Sequence, residues 1–428
     1  MTDLKHPHPL FWHQGRAPGT AGEALSVHPL SHAARFLIDN PPRADVVLLE
    51  SADALTPYLD SLNELAGAST DSNPLFETAA LQAAMAHLAP QGAVHVALIW
   101  SDPRSDGTRL LLGAFPYRAR RFYLGLPVAV WMLWTHIHSF LATPLVRAGH
   151  ERAAIRRFLC YADQSGAPLV RFPLFEAGGA FDTALADVLA ERGLPYVETA
   201  RHERAFLKSE LDGEAYLAAH MRKKKRKEYN RLWNRLGESG SLEFATHDGG
   251  PDFHGWLTQF LCLERSGWKG KRGTALAERP QERQFFETFA GRTYADGKLH
   301  CLDIRLDGKP IAMLASFLAG GGAYSFKIAY DEAYAKYSPG ALLMMKAIGA
   351  FQSDARIAWV DSCAIPNHPM IDHIWAERRG IREVNVATVH QLSGALIAYS
   401  SRATRLADSA WAKARAVYHR IRKEVEHD

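Results

Sequence analysis

The sequence predicts an α/β protein, an α+β mixed-sheet architecture laid out in two successive lobes. Three observations predict it. The chain has 428 residues, more than one hydrophobic core usually supports, so two lobes plus extensions is the starting expectation. Between residues 73 and 207, strand-like apolar runs alternate with helix-like stretches, the sequence form of an α/β lobe. From 241 to 390 there follow a strand, two helices, an antiparallel meander, a helix and further strands.

Residues 1–70, rich in Pro, His and Ala, read as an N-terminal extension draped over the first lobe. In the lobe at 71–207, Val94–Trp100, Leu110–Phe115 and Leu169–Phe172 are strand-like, whereas Glu77–Leu88 and Ala180–Arg192 are helix-like. Leu124–Val146 is long enough to span a bilayer, but Pro127, His136, His138 and Pro144 interrupt it, so it reads as buried strands with a connecting loop. Residues 208–240 are a basic linker helix, about Gly213 to Leu236, capped near Asp212 and carrying the run Arg222-Lys223-Lys224-Lys225-Arg226-Lys227. Tyr229, Leu232, Trp233 and Leu236 share one face of it, which docks; the charges face solvent or something anionic.

The lobe at 241–390 is more legible. After the strand Leu242–Thr246 come helices near 252–266 and 279–295, then strands at 299–306 and 310–318 joined by Asp307-Gly308, a preferred hairpin turn. Gly320-Gly321-Gly322 leads into a third strand to Tyr330, and Ser338-Pro339-Gly340 opens a helix to Phe351. A strand at 357–364, a helix near Met370–Arg379 stopping at Gly380, and a last strand at 382–389 complete it. Residues 391–428 read as an amphipathic helix with Leu406, Ala410, Ala414, Val417, Ile421 and Val425 on one stripe, docked on the body or lying on an anionic membrane surface.

Fifty Lys and Arg against 46 Asp and Glu give a net charge of +4, too little to predict nucleic-acid binding from the whole chain. Four separated cysteines, with no CxxC pair, point to neither a metal site nor a disulfide framework, and fit a reducing compartment. The N-terminal histidines and prolines read against a secretory signal, so the expected location is cytoplasmic, with peripheral contact at the inner membrane face as an extension of that reading.

The informative unit for chemistry is the strand ending at Tyr330, the loop at 331–340 and the following helix. A helix N-terminus offers unpaired N–H groups and a positive dipole end, a ready place for a pyrophosphate. The order of elements, together with the passages Phe260-Leu261-Cys262-Leu263-Glu264-Arg265-Ser266-Gly267-Trp268-Lys269-Gly270, Phe326-Lys327-Ile328-Ala329-Tyr330-Asp331-Glu332, Tyr337-Ser338-Pro339-Gly340 and Ile374-Trp375-Ala376-Glu377-Arg378-Arg379, resembles the GNAT acyltransferases. The likeness is to their exopolysaccharide- and cellulose-biosynthesis (CelD-like) branch, related to the FemAB-like tandem GNAT proteins. It covers about residues 206–390 well and the first lobe weakly, which implies a tandem of a degenerate GNAT-like lobe and a GNAT transfer lobe.

The resemblance implies transfer of an acyl group from acyl-CoA, without a metal, to an amine of an envelope glycan, sugar precursor or lipid. It leaves open an aminoacyl-tRNA donor, as FemAB-like enzymes use, or a catalytically silent accessory protein of polysaccharide biosynthesis; apart from tRNA, nucleic acid is not expected. It places the donor on Lys336, Tyr337, Ser338, Pro339, Gly340, Ala341 and Leu342, and the oxyanion on the N–H groups of Ala329 and Tyr330. The loop departs from the family's Gln/Arg-Gly-x-Gly/Ala signature by reading Ala335-Lys336-Tyr337-Ser338-Pro339-Gly340-Ala341. An attacking amine must be neutral and the leaving group needs a proton. Asp331 is the first candidate base, Lys327 and Lys269 line the groove, and Asp361 with Ser362 faces the donor sulfur; His368 titrates near neutrality.

Overall fold

The structure, a computed structural model, describes residues 45–247, 253–388 and 394–406. The first lobe runs β1 (Val46–Leu49), α1 (Leu59–Gly67), α2 (Thr78–His87), β2 (His95–Trp100), β3 (Leu111–Arg120), β4 (Val130–Leu133), β5 (Leu145–Val146), α3 (Glu151–Gln164), β6 (Leu169–Glu176), α4 (Ala180–Arg192) and β7 (Tyr196–Leu207). Helices α5 (Gly213–His220) and α6 (Lys223–Gly237) lead to β8 (Leu242–His247), α7 (Phe253–Ser266), α8 (Trp268–Lys271), α9 (Pro280–Ala295), β9 (Leu299–Leu306), β10 (Lys309–Ala319) and β11 (Gly322–Tyr330). Then come α10 (Pro339–Ser353), β12 (Trp359–Asp361) and β13 (Glu377–Ala387), and α11 covers residues 394–406.

All thirteen strands of the described residues join one mixed sheet in the order β1-β2-β3-β4-β6-β13-β7-β12-β11-β10-β9-β8, with β5 beside β3. Each lobe repeats one plan: a strand, helices, three strands, a helix, and a strand lying parallel to the third. Those parallel pairs are β4/β6 and β11/β12. The last strands are exchanged: β13 pairs with β6, β7 pairs with β12, and β7 and β13 pair with each other. The two lobes therefore cannot part without breaking the middle of a sheet.

Side-chain alternation puts apolar residues on both faces, because helices cover both. One core lies under α1, α2, α7 and α9 and runs through both lobes, from Leu81 and Leu98 to Phe260, Phe289 and Phe317. On the opposite face α3 and α4 cover the first lobe, while α5, α6 and α10 cover the second. At the start of β11 a Cβ on Gly322 would lie 2.3 Å from the Trp359 ring. Gly322→Ala is accordingly expected to lower stability by about 1–3 kcal/mol through overpacking, read by thermal denaturation.

Differences from the sequence reading have physical reasons. Residues 46–67, expected in an extension, supply β1 and α1 to the first lobe's sheet and core; residues 1–44 lie outside the described residues. The expected linker helix is two helices: Asp212 caps α5 by accepting the Ala215 N–H at 2.8 Å, but Met221 is extended and the basic run restarts as α6. The helix expected at 370–379 is only a turn at Ile371–His373, and Gly380 lies inside β13. Of the C-terminal stripe only Leu406 is described. Residues 124–146 form strands and loops, and no described helix is long and apolar enough to cross a membrane.

Candidate active site

Strand β11 gives the site its shape. It pairs with β12 only over Gly322–Tyr324, so its remaining length has one open edge. Asp331 donates its N–H to the Ile311 carbonyl at 2.9 Å, so by alternation Ala329, opposite Met313, also turns its main-chain groups toward β10. The Ile328 carbonyl instead accepts Lys269 Nζ at 3.1 Å, which puts the main-chain groups of Ile328 and Tyr330 on the open edge. A shallow cleft lies there, between Glu264, Gly267, Trp268 and Lys269 on one wall and Ile328–Tyr330 on the other.

A bulge at Phe326 breaks the β10/β11 register, since Ala315 and Ser316 face Lys327 and Ser325. The extra residue turns Phe326 into the core under α7 and α9, while Ile328 and Tyr330 pack on the α10 side. Lys327, half-buried beside them, makes no hydrogen bond or ion pair to any described residue; its Nζ lies 5.7 Å from the Phe326 ring centroid. Burial, helped by the positive charges of Lys269 and Arg279, lowers its pKa to about 8 against the opposing pull of Glu264 and Glu282.

Glu264 is the shared anion of this group. One carboxylate oxygen accepts Lys269 Nζ at 3.0 Å and the other accepts the Leu276 N–H at 2.9 Å. Burial pushes its pKa up, but Lys269, Lys327 and the Leu276 N–H outweigh that and hold it below the ordinary carboxylate range. The first lobe adds two histidines from the loop after β4. His138 lies 3.1 Å from Glu282 Oε2 and stacks on Phe285, and burial lowers its pKa to about 4. His136, buried against Trp134 and Phe285, falls to about 3, so both rings are neutral at pH 7. Arg279 donates to the other oxygen of Glu282 at 2.8 Å.

Of the residues singled out from sequence, Lys269, Ala329 and Tyr330 line this cleft, while Lys327 does not line it but interacts electrostatically with Glu264 and Lys269. Asp331 instead caps the turn that follows, accepting the Ala333 N–H at 2.9 Å, with Lys309 at 3.5 Å. Asp361 is completely buried and saturated by Arg204 at 2.6 Å, Arg379 at 2.9 Å and the Cys363 N–H at 2.8 Å. Its carboxylate belongs to the lobe seam, not to the cleft. Ser362 is buried and accepts the Ala364 N–H, and His368 Nδ1 faces the N–H groups of Met370 and Ile371.

The first turn of α10 is less open than its sequence implies. Pro339, Gly340, Ala341 and Leu342 are buried, and the open side of Gly340 faces Tyr330, Ile328 and Met370 at 3.5–3.7 Å. Ser338 takes a left-handed conformation and accepts the Leu342 N–H. Lys336 is exposed over Tyr337, at 4.9 Å from the ring centroid. The side chains of Glu264, Glu282, Arg279, His136 and His138 escaped selection from sequence. Glu264 stood inside the passage that carried the resemblance, but nothing in the spacing joined His136 and His138 to a site in the other lobe.

Residues 223–366 match the family described as an acetyltransferase (GNAT) domain. Among solved structures, FemX aligns with TM-score 0.51 at 10% identity over 76% of this chain and 95% of its own. A conserved protein of unknown function from Bacteroides thetaiotaomicron VPI-5482 aligns with TM-score 0.49 at 11% identity, over 78% of this chain and 97% of its own. A tandem GNAT protein from the clavulanic acid biosynthesis pathway aligns with TM-score 0.40 at 15% identity, over 81% and 99%. No curated protein matches. The second lobe thus matches a GNAT domain model, and the chain as a whole shares its fold with FemX; at these identities the structural likeness speaks for fold alone.

Proposed function

We propose that the chain is an N-acyltransferase that moves an acyl group from acyl-CoA to an amine of an envelope glycan, sugar precursor or lipid. The observation that carries this reading is the open edge of β11: a main-chain donor, Tyr330 N–H, faces a cleft that also holds Glu264, with Lys327 in the same charge group. In this reading the amine enters the cleft neutral, its ammonium proton already lost to solvent, and one of its N–H groups donates to Glu264. Lys327, in its neutral form, takes the proton the nitrogen sheds as it attacks the acyl carbon. Negative charge developing on the carbonyl oxygen meets the Tyr330 N–H, and the proton on Lys327 is then available to the departing thiolate. The amide bond forms as the thioester breaks, without change of oxidation state.

The reading is tested by following thiol release from a panel of acyl-CoA thioesters with and without candidate amines. Because the base must be deprotonated, kcat/KM is expected to rise about tenfold per pH unit below about 8 and to level off above it. A profile that is flat from pH 6 to 9 would remove Lys327 from the mechanism.

A second reading, aminoacyl-tRNA as donor, is favoured by one observation. Helix α6 exposes Arg222, Lys223, Lys224 and Lys227 and packs beside the 332–337 turn, whereas the α10 turn is covered. Salt-sensitive tRNA binding, lost when residues 222–227 are neutralised, supports it; transfer from acyl-CoA by the same variant excludes it.

A further inference from the structure

Nine large hydrophobic residues are exposed among the described ones, and four of them gather at one place: Phe122 (68% exposed), Leu124 (51%), Tyr399 (37%) and Leu406 (72%). Two segments remote in sequence make this patch. Tyr399 Oη donates to the Leu124 carbonyl at 3.0 Å, and Tyr123 Oη, which accepts from Asn385 Nδ2 at 2.6 Å, lies 2.7 Å from Ser400 Oγ. Leu396 and Ile397 bury the inner face of α11 against Tyr123, Val130 and Leu169, so the helix is fixed beside the parallel pair β4/β6. Tyr399 and Leu406, seven residues apart, then share its outer face two turns apart, with Arg402 between them.

Charge says what this surface fits. Arg120 and Arg121 precede Phe122, and Arg402 and Arg405 precede Leu406; all four are exposed, and none makes an ion pair among the described residues. Some exposed arginines elsewhere are matched by carboxylates, as Arg156 is by Glu191, Arg265 by Glu278 and Arg283 by Glu287, whereas Arg104, Arg222, Arg231 and Arg235 are exposed without an ion pair among the described residues; only at this patch do such arginines flank a cluster of exposed apolar side chains. Apolar and aromatic side chains flanked by unneutralised arginines combine the two attractions that hold a protein on an anionic bilayer. We propose that the Phe122/Leu124/Tyr399/Leu406 patch docks this protein on an anionic lipid surface, independently of the reaction carried by the second lobe.

The test is sedimentation of the full chain with phosphatidylcholine vesicles, with and without phosphatidylserine. Binding to the anionic vesicles alone, weakened by salt, is expected. Phe122→Ser with Leu124→Ser, and separately Arg120→Glu with Arg121→Glu, are expected to reduce it on the order of tenfold or more at unchanged melting temperature. The proposal fails if the parent chain ignores anionic vesicles or if folded variants bind as the parent does. It also fails if the patch instead holds two copies together, seen as a dimer that both variants dissolve and no vesicle binding.

Discussion

Lys327→Met is expected to lower kcat/KM for amide formation by about 10²–10⁴-fold, the usual contribution of a positioned general base, while leaving the fold intact or more stable. The ammonium sits half-buried with no hydrogen-bond partner, and its pKa, lowered to about 8 by burial, records that cost. The sign of the stability effect follows. A lysine whose folded pKa lies below its unfolded value destabilises the fold fully below about pH 8, and the penalty fades as pH rises to about 10.4. The Met variant should therefore melt higher than the parent at pH 7, and the gap should close by about pH 10.4. Lys327→Arg, which retains a permanent charge, should lose the same activity without that gain. Initial rates and thermal melts on the three proteins check this; full activity in the folded Met variant would sink it.

The second large effect concerns the seam. Asp361→Ala is expected to cost about 3–5 kcal/mol, because it strips a carboxylate from between two guanidinium groups that stay buried. Arg204 is 2% exposed and Arg379 6%; Arg379 keeps Glu176, but among the described residues Arg204 keeps as hydrogen-bond acceptor only the Phe140 carbonyl, at 2.7 Å. Burial raises the Asp361 pKa, yet the two arginines prevail and hold it below the usual range. Its stabilisation is thus present above about pH 3.9, the unfolded value, and is lost as pH falls through the folded one. Denaturant titrations at pH 7 and pH 3 should show the variant's deficit large at the first and smaller at the second. An Asp361→Ala protein as stable as the parent at pH 7 would refute the structural role assigned here.

The parts of the fold legible in the sequence were those fixed by local chemistry. Ala180–Arg192 carries helical spacing up to Gly193, which takes the left-handed cap conformation, and Asp307-Gly308 supplies the positive φ pair that the β9/β10 hairpin needs. What stayed hidden was set by the exchange of strands. Glu377-Arg378-Arg379-Gly380 has the composition of a helix end, yet it becomes part of the longest pairing in the sheet. Charges of β13 are matched across the seam, Arg379 with Asp361 and Glu176, and Arg382 with Asp182.

The candidate site divides in the same way. Lys327, Lys269 and Tyr330 lie close in sequence to the motifs that marked β11, and alternation indicated the face of Lys327. Asp331 was the first candidate base, with a cap at the strand end as its alternative, and the structure shows the capping contact to the Ala333 N–H. Gly340 was read as an opening for phosphate, whereas Tyr330 packs over it. His136 and His138 reach Phe285 and Glu282 across the lobe boundary, a contact with no local signature.

The open edge of β11 is tested most directly by the structure of the chain bound to a non-transferable analogue of its acyl donor. The account expects the carbonyl oxygen about 2.7–3.1 Å from Tyr330 N, with the acyl carbon in the cleft between Glu264 and Ile328. An acyl group bound elsewhere, with Tyr330 N–H still facing an empty cleft, would contradict it.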